Sequence, residues 1–590
     1  MNGTEAAGTN GSSGADAVHD AVHDADAEVD ALIARAKDWF GQDPDPETRT
    51  ELSDLIGRAR SGEQEAVAQL HDRFDTRLAF GTAGLRGEIA AGPNRMNRVL
   101  VIQAAAGLAA YLLEKSGGTR PSVVIGFDGR KNSAIFASDT AEVMAGAGIR
   151  AILLPRLLPT PVLAFAVRHL GTSAGVMVTA SHNPPNDNGY KVYLGGADDG
   201  SQIVPPADQE IAAHIDRVAS ASIAGLPRTS AYERADEEVV TAYIRSTARV
   251  ASGDPATRVP LNVVYTAMHG VGWETASRVF ASAGFEQPIV VSEQIEPDAA
   301  FPTVSFPNPE EPGALDLSFA TARSAGAELI IANDPDADRL AVAIPDATAP
   351  EGYRRLSGNE VGALLGWRAA ELAVSRGATP VGTLACSIVS SPALGAVARA
   401  YGLGFAETLT GFKWVSRAPD VIFGFEEALG YLVDPEIVRD KDGISAAVAF
   451  LELAGTLKAD GTTIAGQLDR FSERFGHFSS DQVSIRVSDI ADIARMMHRL
   501  RVSPPSEIGA VAVESIEDLS AGSAALPPSD VLRIRLADGS RVMVRPSGTE
   551  PKLKVYVDAS STRGTAAERR QDADARVGRL VAGVRELLAD

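Results

Sequence analysis

The sequence predicts a multidomain α/β protein with mainly parallel sheets, closed by a C-terminal α+β unit. Short β-branched runs alternate with Ala-rich helical stretches, which is the pattern of strand–helix–strand units. Six of those runs end in polar loops, the place where open α/β sheets bind ligands. Late in the chain Val483, Ile485 and Val487 alternate like a strand with one wet face, so the last segment differs in kind. At 590 residues, and roughly 150 per domain, four domains are expected.

Taken in order, residues 1–28 are rich in Gly, Ala, Asp, Ser and Thr and read as a disordered tail. The repeated His19-Asp20 and His23-Asp24 could ligate a metal, but no third ligand type is nearby. The sequons at Asn2 and Asn10 mean nothing in a chain without a secretion signal. Residues 29–225, 226–346 and 347–474 then form three α/β domains, and 475–590 the α+β domain. Breaks in composition near 218–232, Pro345–Gly352 and 472–480 set these boundaries.

Within the α/β domains, Ser122–Ile125 leads into Gly126-Phe127-Asp128-Gly129-Arg130, and Gly175–Val178 into Thr179-Ala180-Ser181-His182-Asn183-Pro184. Asn262–Tyr265 precedes Thr266-Ala267-Met268-His269-Gly270, and Glu328–Ile331 precedes Asn333-Asp334-Pro335-Asp336-Ala337-Asp338-Arg339. Gly382–Ala385 leads into Cys386-Ser387, and Val421–Phe423 into Gly424-Phe425-Glu426-Glu427. This regularity indicates an enzyme or ligand binder rather than a scaffold.

A net charge of −22 argues against nucleic acid or anionic lipid as a partner, because both need a basic surface. No apolar run reaches 18 residues, so no membrane-spanning helix is expected. The single cysteine, Cys386, cannot form an internal disulfide and reads as a small buried apolar residue. A reducing cytoplasm is the default compartment. Only nine basic residues are Lys, and six of them (Lys131, Lys191, Lys413, Lys441, Lys552, Lys554) sit in or beside Gly- and Pro-rich loops. One reading is that Lys is simply common in loops. The other is that these sites need a compact, titratable amine that guanidinium cannot replace.

Three loops carry chemistry. Asp334, Asp336 and Asp338 at i, i+2, i+4 would repel one another unless a cation sits among them. An all-oxygen set suits Mg²⁺, which also keeps phosphate oxygens in its shell. A calcium EF-hand fits poorly, since Arg339 and Pro345 stand where its Gly and Glu belong. Ser181 could be a nucleophile given a base or metal; the Gly-x-Ser-x-Gly elbow of hydrolases is absent. Finally, Arg545-Pro546-Ser547-Gly548-Thr549-Glu550-Pro551-Lys552 combines Arg, hydroxyls, exposed backbone and Lys into an anion cradle, without the ending of a nucleotide P-loop.

Together with Gly81-Thr82-Ala83-Gly84-Leu85-Arg86-Gly87 and Gly424-Phe425-Glu426-Glu427, these loops come in the order of the α-D-phosphohexomutase superfamily. From about residue 75 to 560 the chain resembles the phosphoglucomutases and phosphomannomutases, in flavour most like the long phosphoglucomutase/phosphopentomutase-type branch. The resemblance implies a heart-shaped four-domain chain with a central cleft. It implies that Ser181 is phosphorylated and that Mg²⁺ bridges its phosphate to Asp334, Asp336 and Asp338. The cradle of Arg545, Ser547, Gly548 and Thr549 would hold the non-reacting phosphate. Thr410, Gly411, Lys413 and Glu426 would bind sugar hydroxyls. Arg86, His182, Lys191, His269 and Lys441 would be candidates for proton transfer or phosphate stabilisation. A sugar 1,6-bisphosphate such as glucose 1,6-bisphosphate would act as activator, and no obligate protein partner is implied.

One departure bears on the substrate. Many family members carry Glu-x-Ser in the sugar loop, whereas this chain has Glu426, Glu427 and Ala428. Glucose, mannose and pentose phosphates all remain open. Two other readings compete. A haloacid-dehalogenase-like phosphotransferase would use Asp334 as nucleophile but gives the Arg545 loop no role. A silent sugar-phosphate sensor would not need Ser181, the three aspartates and Lys191 all intact.

Overall fold

In the computed structural model, residues 13–375, 377, 381–487, 489–547 and 552–589 are described. Four sheets follow one another along the chain. The first runs in the order Leu85–Glu88, Asp187–Leu194, Ala174–Val178, Ser122–Phe127, Arg150–Leu153 and Glu233–Arg234, with Ser201–Gln202 beside the second of these. The second is Tyr353–Arg355, Leu340–Pro345, Leu329–Asn333, Val263–Thr266 and Ile289–Val290. The third is Gly404–Thr408, Thr383–Ser387, Val421–Glu426 and Gly430–Leu432. In each of these three the central strands pair in parallel and antiparallel strands lie to one side.

The fourth sheet is antiparallel throughout, from His477–Arg486 through Lys552–Ser561, Arg541–Pro546, Leu532–Leu536 and Val511–Asp518 to Glu507–Ile508. Helices Ile490–Val502 and Ala566–Ala589 accompany it. The expected fold class is therefore the observed one.

The buried strands Ala174–Val178 and Leu329–Asn333 are nearly pure apolar runs, as parallel strands covered on both faces require. Some helices start where the sequence supplies a side-chain acceptor for their free N–H groups. Asn97 caps Arg98–Lys115 by accepting from the Leu100 N–H, and its amide donates to the carbonyls of Ala90 and Gly92. Asp442 caps Gly443–Ala459 by accepting from the N–H groups of Ile444 and Ser445.

Three points differ from the sequence-based expectation. Residues 13–28 of the expected tail are the start of a helix, Ser13–Gln42; residues 1–12 lie outside the described set. Between Ala15 and Phe40 there is neither Gly nor Pro, so the Ala-rich segment has no breaker. Helices Pro46–Arg60 and Gln64–Phe74 complete a helical layer, whose Leu32, Leu52, Leu55 and Leu70 join the core of the first domain. The first and second sheets also take edge strands from Glu233–Arg234 and Tyr353–Arg355, beyond the boundaries expected at 225 and 346. Glu233–Arg234 joins the edge beyond Arg150–Leu153, opposite the side where Ser201–Gln202 lies, whereas Tyr353–Arg355 crosses a polar loop and pairs with Leu340–Pro345, the strand just before it.

A continuous apolar core joins the first three domains. A smaller one, with Ile388, Val389, Leu409, Leu519, Met543 and Tyr556, seats the fourth sheet on the third domain. Among the described residues, no helix is long and apolar enough to cross a membrane.

Candidate active site

The strands Ala174–Val178 and Leu329–Asn333 each end in a loop, and the two loops meet. Ser181 is almost fully buried and adopts φ +53, a left-handed conformation that a residue with a side chain rarely holds without support. The support comes from Arg130. Its guanidinium donates to the main-chain carbonyls of Ser181 and Asn183 at 2.6 Å each, of Pro184 at 2.8 Å and of Asp187 at 3.1 Å. Thr179 Oγ1 accepts from the Ser181 N–H at 2.8 Å. So held, the Ser181 hydroxyl donates to Asp334 Oδ2 at 2.8 Å and lies 3.1 Å from His182 Nδ1.

Asp334, Asp336 and Asp338 are buried together, with one oxygen of each within 4.8 Å of the others. Ala337 at φ +55 turns the loop so that the three carboxylates converge. Asp334 Oδ1 accepts from the Arg339 N–H at 3.0 Å, and Asp336 Oδ2 accepts from Thr160 Oγ1 at 2.6 Å and Lys191 Nζ at 2.7 Å. Lys191 Nζ also donates to Asp338 Oδ2 at 2.8 Å, and Lys441 Nζ stands 3.3 Å from that same oxygen. The other oxygens, Oδ1 of Asp336 and Oδ1 of Asp338, are buried without a hydrogen-bond partner. Buried acceptors left unpaired are costly, so this all-oxygen set fits a hard divalent cation such as Mg²⁺.

Burial and the neighbouring Asp338 raise the Asp336 carboxyl. Burial also opposes ionisation of Asp338, but Lys191, Lys441 and Arg339 outweigh it and hold that carboxyl low. Lys191 and Lys441 are held charged, because the carboxylates Asp336, Asp338 and Asp440 more than offset their burial. Burial, with Arg339 and Arg86 close by, drives His182 well below its ordinary range, so its ring is neutral.

The remaining expected residues are distributed around this centre. Arg86 Nη1 donates to Asn183 Oδ1 at 3.1 Å, beside the serine loop. Glu426 Oε1 accepts from the Gly411 N–H at 2.6 Å, and burial followed by Glu427 raises its carboxyl. Thr410 and Gly411 lead into the short helix Phe412–Val415, whose Lys413 reaches back to the hydroxyl of Thr82 in the first domain. Burial lowers Lys413 to about 8. Arg545 lies on Arg541–Pro546, and the Ser547 N–H donates to the Lys552 carbonyl at 2.8 Å. Gly548 and Thr549 lie outside the described residues. His269 Nε2 lies 2.8 Å from Thr303 Oγ1.

Arg130, Thr160, Arg339 and Asp440 also belong to the site but were not singled out from sequence. Asp440 Oδ2 accepts from Tyr193 Oη at 2.8 Å and Gln202 Nε2 at 2.7 Å, while Oδ1 accepts from the Lys441 N–H at 2.8 Å. Arg130 and Arg339 stood inside quoted loops, so an Arg within or just after a chemistry-bearing turn was the available signal.

Known proteins place this geometry. Four family models match in sequence order: phosphoglucomutase/phosphomannomutase alpha/beta/alpha domain I at residues 77–222, domain II at 241–347, domain III at 357–471 and the C-terminal domain at 486–575. A probable phosphomannomutase of Haemophilus influenzae is 55% identical over 493 residues, covering 84% of this chain and 98% of the relative. The human phosphopentomutase is 35% identical over 548 residues, covering 84% and 87%. The crystal structure of a putative phosphomannomutase from Thermus thermophilus has the same fold, with TM-score 0.66 and 24% identity over 87% of this chain and all of that one. With every domain matched and the serine and aspartate loops brought together, the chain belongs to the phosphoglucomutase/phosphomannomutase family, an isomerase acting on phosphosugars.

Proposed function

We propose that this protein interconverts the 1- and 6-phosphates of a hexose, glucose first and mannose second, through a phosphorylated Ser181 and a bound sugar bisphosphate. The carrying observation is the buried, conformationally constrained Ser181 hydroxyl bonded to Asp334, beside two partnerless carboxylate oxygens. Phosphoryl transfer needs positioning and charge neutralisation more than covalent elaboration. A divalent cation held by Asp334, Asp336, Asp338 and the serine loop would supply charge neutralisation. Lys191, Lys441, Arg86 and the main-chain groups around Ser181 orient the transferring group.

In the forward half-reaction the bond from phosphorus to Ser181 Oγ breaks and a bond to the sugar hydroxyl forms, the hydroxyl's proton ending on the released Ser181 Oγ. The bisphosphate turns over and its other phosphate returns to Ser181. A cradle at Arg545 and Ser547 that accepts either phosphate makes the turn possible, while Glu426, Gly411 and Lys413 hold the sugar ring. His182, neutral and 3.1 Å from Ser181 Oγ, is placed to take part in proton movement at that oxygen. A sugar 1,6-bisphosphate primes the serine. Cys386, buried and unpaired, suits a reducing cytoplasm.

A second reading is a phosphopentomutase, favoured by Ala428 in the sugar loop and by the human relative. Initial rates with α-D-glucose 1-phosphate, α-D-mannose 1-phosphate and α-D-ribose 1-phosphate decide the matter. A kcat/KM at least about tenfold higher for a hexose supports the proposal. The reverse order transfers it to pentoses, and no turnover with any of the three refutes it.

A further inference from the structure

The sugar loop of the third domain and the phosphate strand of the fourth are joined by a buried polar seam. Arg541 begins the strand whose far end carries Arg545. Its side chain is only 10% exposed. Nε donates to Asp558 Oδ2 at 2.8 Å and Nη1 to Glu407 Oε1 at 3.0 Å, while Nη2 donates to the main-chain carbonyl of Ser390. Ser390 then holds Glu427 twice: its hydroxyl donates to Oε2 at 3.0 Å and accepts from the Glu427 N–H at 3.0 Å. Ser387 Oγ donates to the same Oε2 at 3.1 Å. The next residue back is Glu426, tied to Gly411.

Adhesion alone does not account for this arrangement. The two domains already share an apolar contact through Ile388, Val389, Leu409, Leu519, Met543 and Tyr556. Buried ion pairs seldom add stability over apolar packing, whereas a planar five-donor guanidinium fixes the relative placement of several acceptors. Here those acceptors belong to two domains, and the chain of bonds ends on the residue next to the sugar ligand. With Oε2 of Glu427 accepting from two serines, that side chain is committed to the seam.

We propose that Arg541 is a positioning residue, setting the spacing between the remote-phosphate cradle at Arg545 and the sugar loop at Glu426, with Glu427 as its anchor. That spacing is what distinguishes a hexose from a shorter pentose when one phosphate is held remotely and the other reacts. The inference rests on the mutase reading above.

The test is a double-mutant cycle on the full chain, with glucose 1-phosphate and ribose 1-phosphate as probes. Arg541→Met should raise KM for the preferred sugar by about tenfold or more and shift the hexose-to-pentose ratio of kcat/KM by about fivefold. Glu427→Gln should shift that ratio in the same direction, and the double variant should be no worse than Arg541→Met alone. Arg541→Lys should recover melting temperature but not the ratio. Effects that multiply in the double variant, or a ratio left unchanged while only melting falls, would overturn the positioning role. If Arg541→Met does not fold, Ser390→Ala and Glu427→Gln carry the test, and an unchanged ratio in both overturns it. Absence of wild-type turnover overturns the mutase reading itself, a result separate from any of these.

Discussion

Replacing Gly430 by Ala perturbs the site by one methyl group. Gly430 sits on the strand Gly430–Leu432 and is not among the positive-φ glycines, so Ala fits its backbone. A Cβ there would lie 2.4 Å from Cδ and 2.8 Å from Cγ of Lys441, about 1 Å closer than ordinary contact. Lys441 cannot simply lean away, because its Nζ lies over the Phe412 ring, 5.4 Å from the centroid, and Phe412 Cδ2 would be 3.4 Å from the new methyl. The ammonium would leave its place 3.3 Å from Asp338 and 3.4 Å from Asp440.

A misplacement of about 1 Å costs roughly 100-fold in rate, or about 2.7 kcal/mol of barrier. Overpacking costs about 1–3 kcal/mol of stability, and the stiffer unfolded chain returns about 0.4–1 kcal/mol. Steady-state kinetics and a thermal melt should therefore show a large loss of kcat/KM with a small fall in melting temperature. Lys441→Met should lose activity similarly, and adding Gly430→Ala to it should change little. Activity of Gly430→Ala within threefold of wild type would refute the reasoning.

Three further outcomes are expected. Lys413, lowered to about 8 by burial against the weaker pull of Asp208 and Glu426, loses its charge as pH rises through 8. KM for phosphosugars should climb above that pH, and Lys413→Arg should flatten the climb; a wild-type KM flat from pH 7 to 9 contradicts this. For stability the sign is opposite: this site's penalty is full below about 8 and fades toward the unfolded value of about 10.4. Asp442, raised to about 6 by burial, contributes stability below about 4 that is lost as pH rises through 6. Asp442→Asn, which keeps the cap acceptor, should gain up to about 3 kcal/mol in denaturant melts at pH 7 and nothing at pH 4; a loss at pH 7 would disprove the sign. Arg545→Ala should raise KM for phosphosugars far more than it weakens Mg²⁺ binding by calorimetry, and the reverse pattern would move the cradle elsewhere.

The chemistry-bearing loops were legible because each is a local device, a polar loop placed after an apolar strand. Ser181, Asp334, Asp336, Asp338, Lys191 and Lys441 do meet. The groups that hold them were not legible, because their partners are distant in sequence. Thr160 reaches Asp336 across 176 positions, Tyr193 reaches Asp440 across 247, and Arg541 reaches Ser390 across 151. No periodicity encodes such pairings; they follow from how the sheets dock. The helical layer before residue 75 was missed for another reason. Its first segment is rich in Asp and Ala, a composition shared by solvated tails and by helices, while Leu32 and Ile33 are in the core and Val29 packs against it.

The most direct test of the account is phosphopeptide mass spectrometry on the purified protein, before and after incubation with glucose 1,6-bisphosphate. The account predicts phosphate on Ser181, increased by the bisphosphate and absent from Ser181→Ala. Phosphate on Asp334, or on no residue at all, would contradict it.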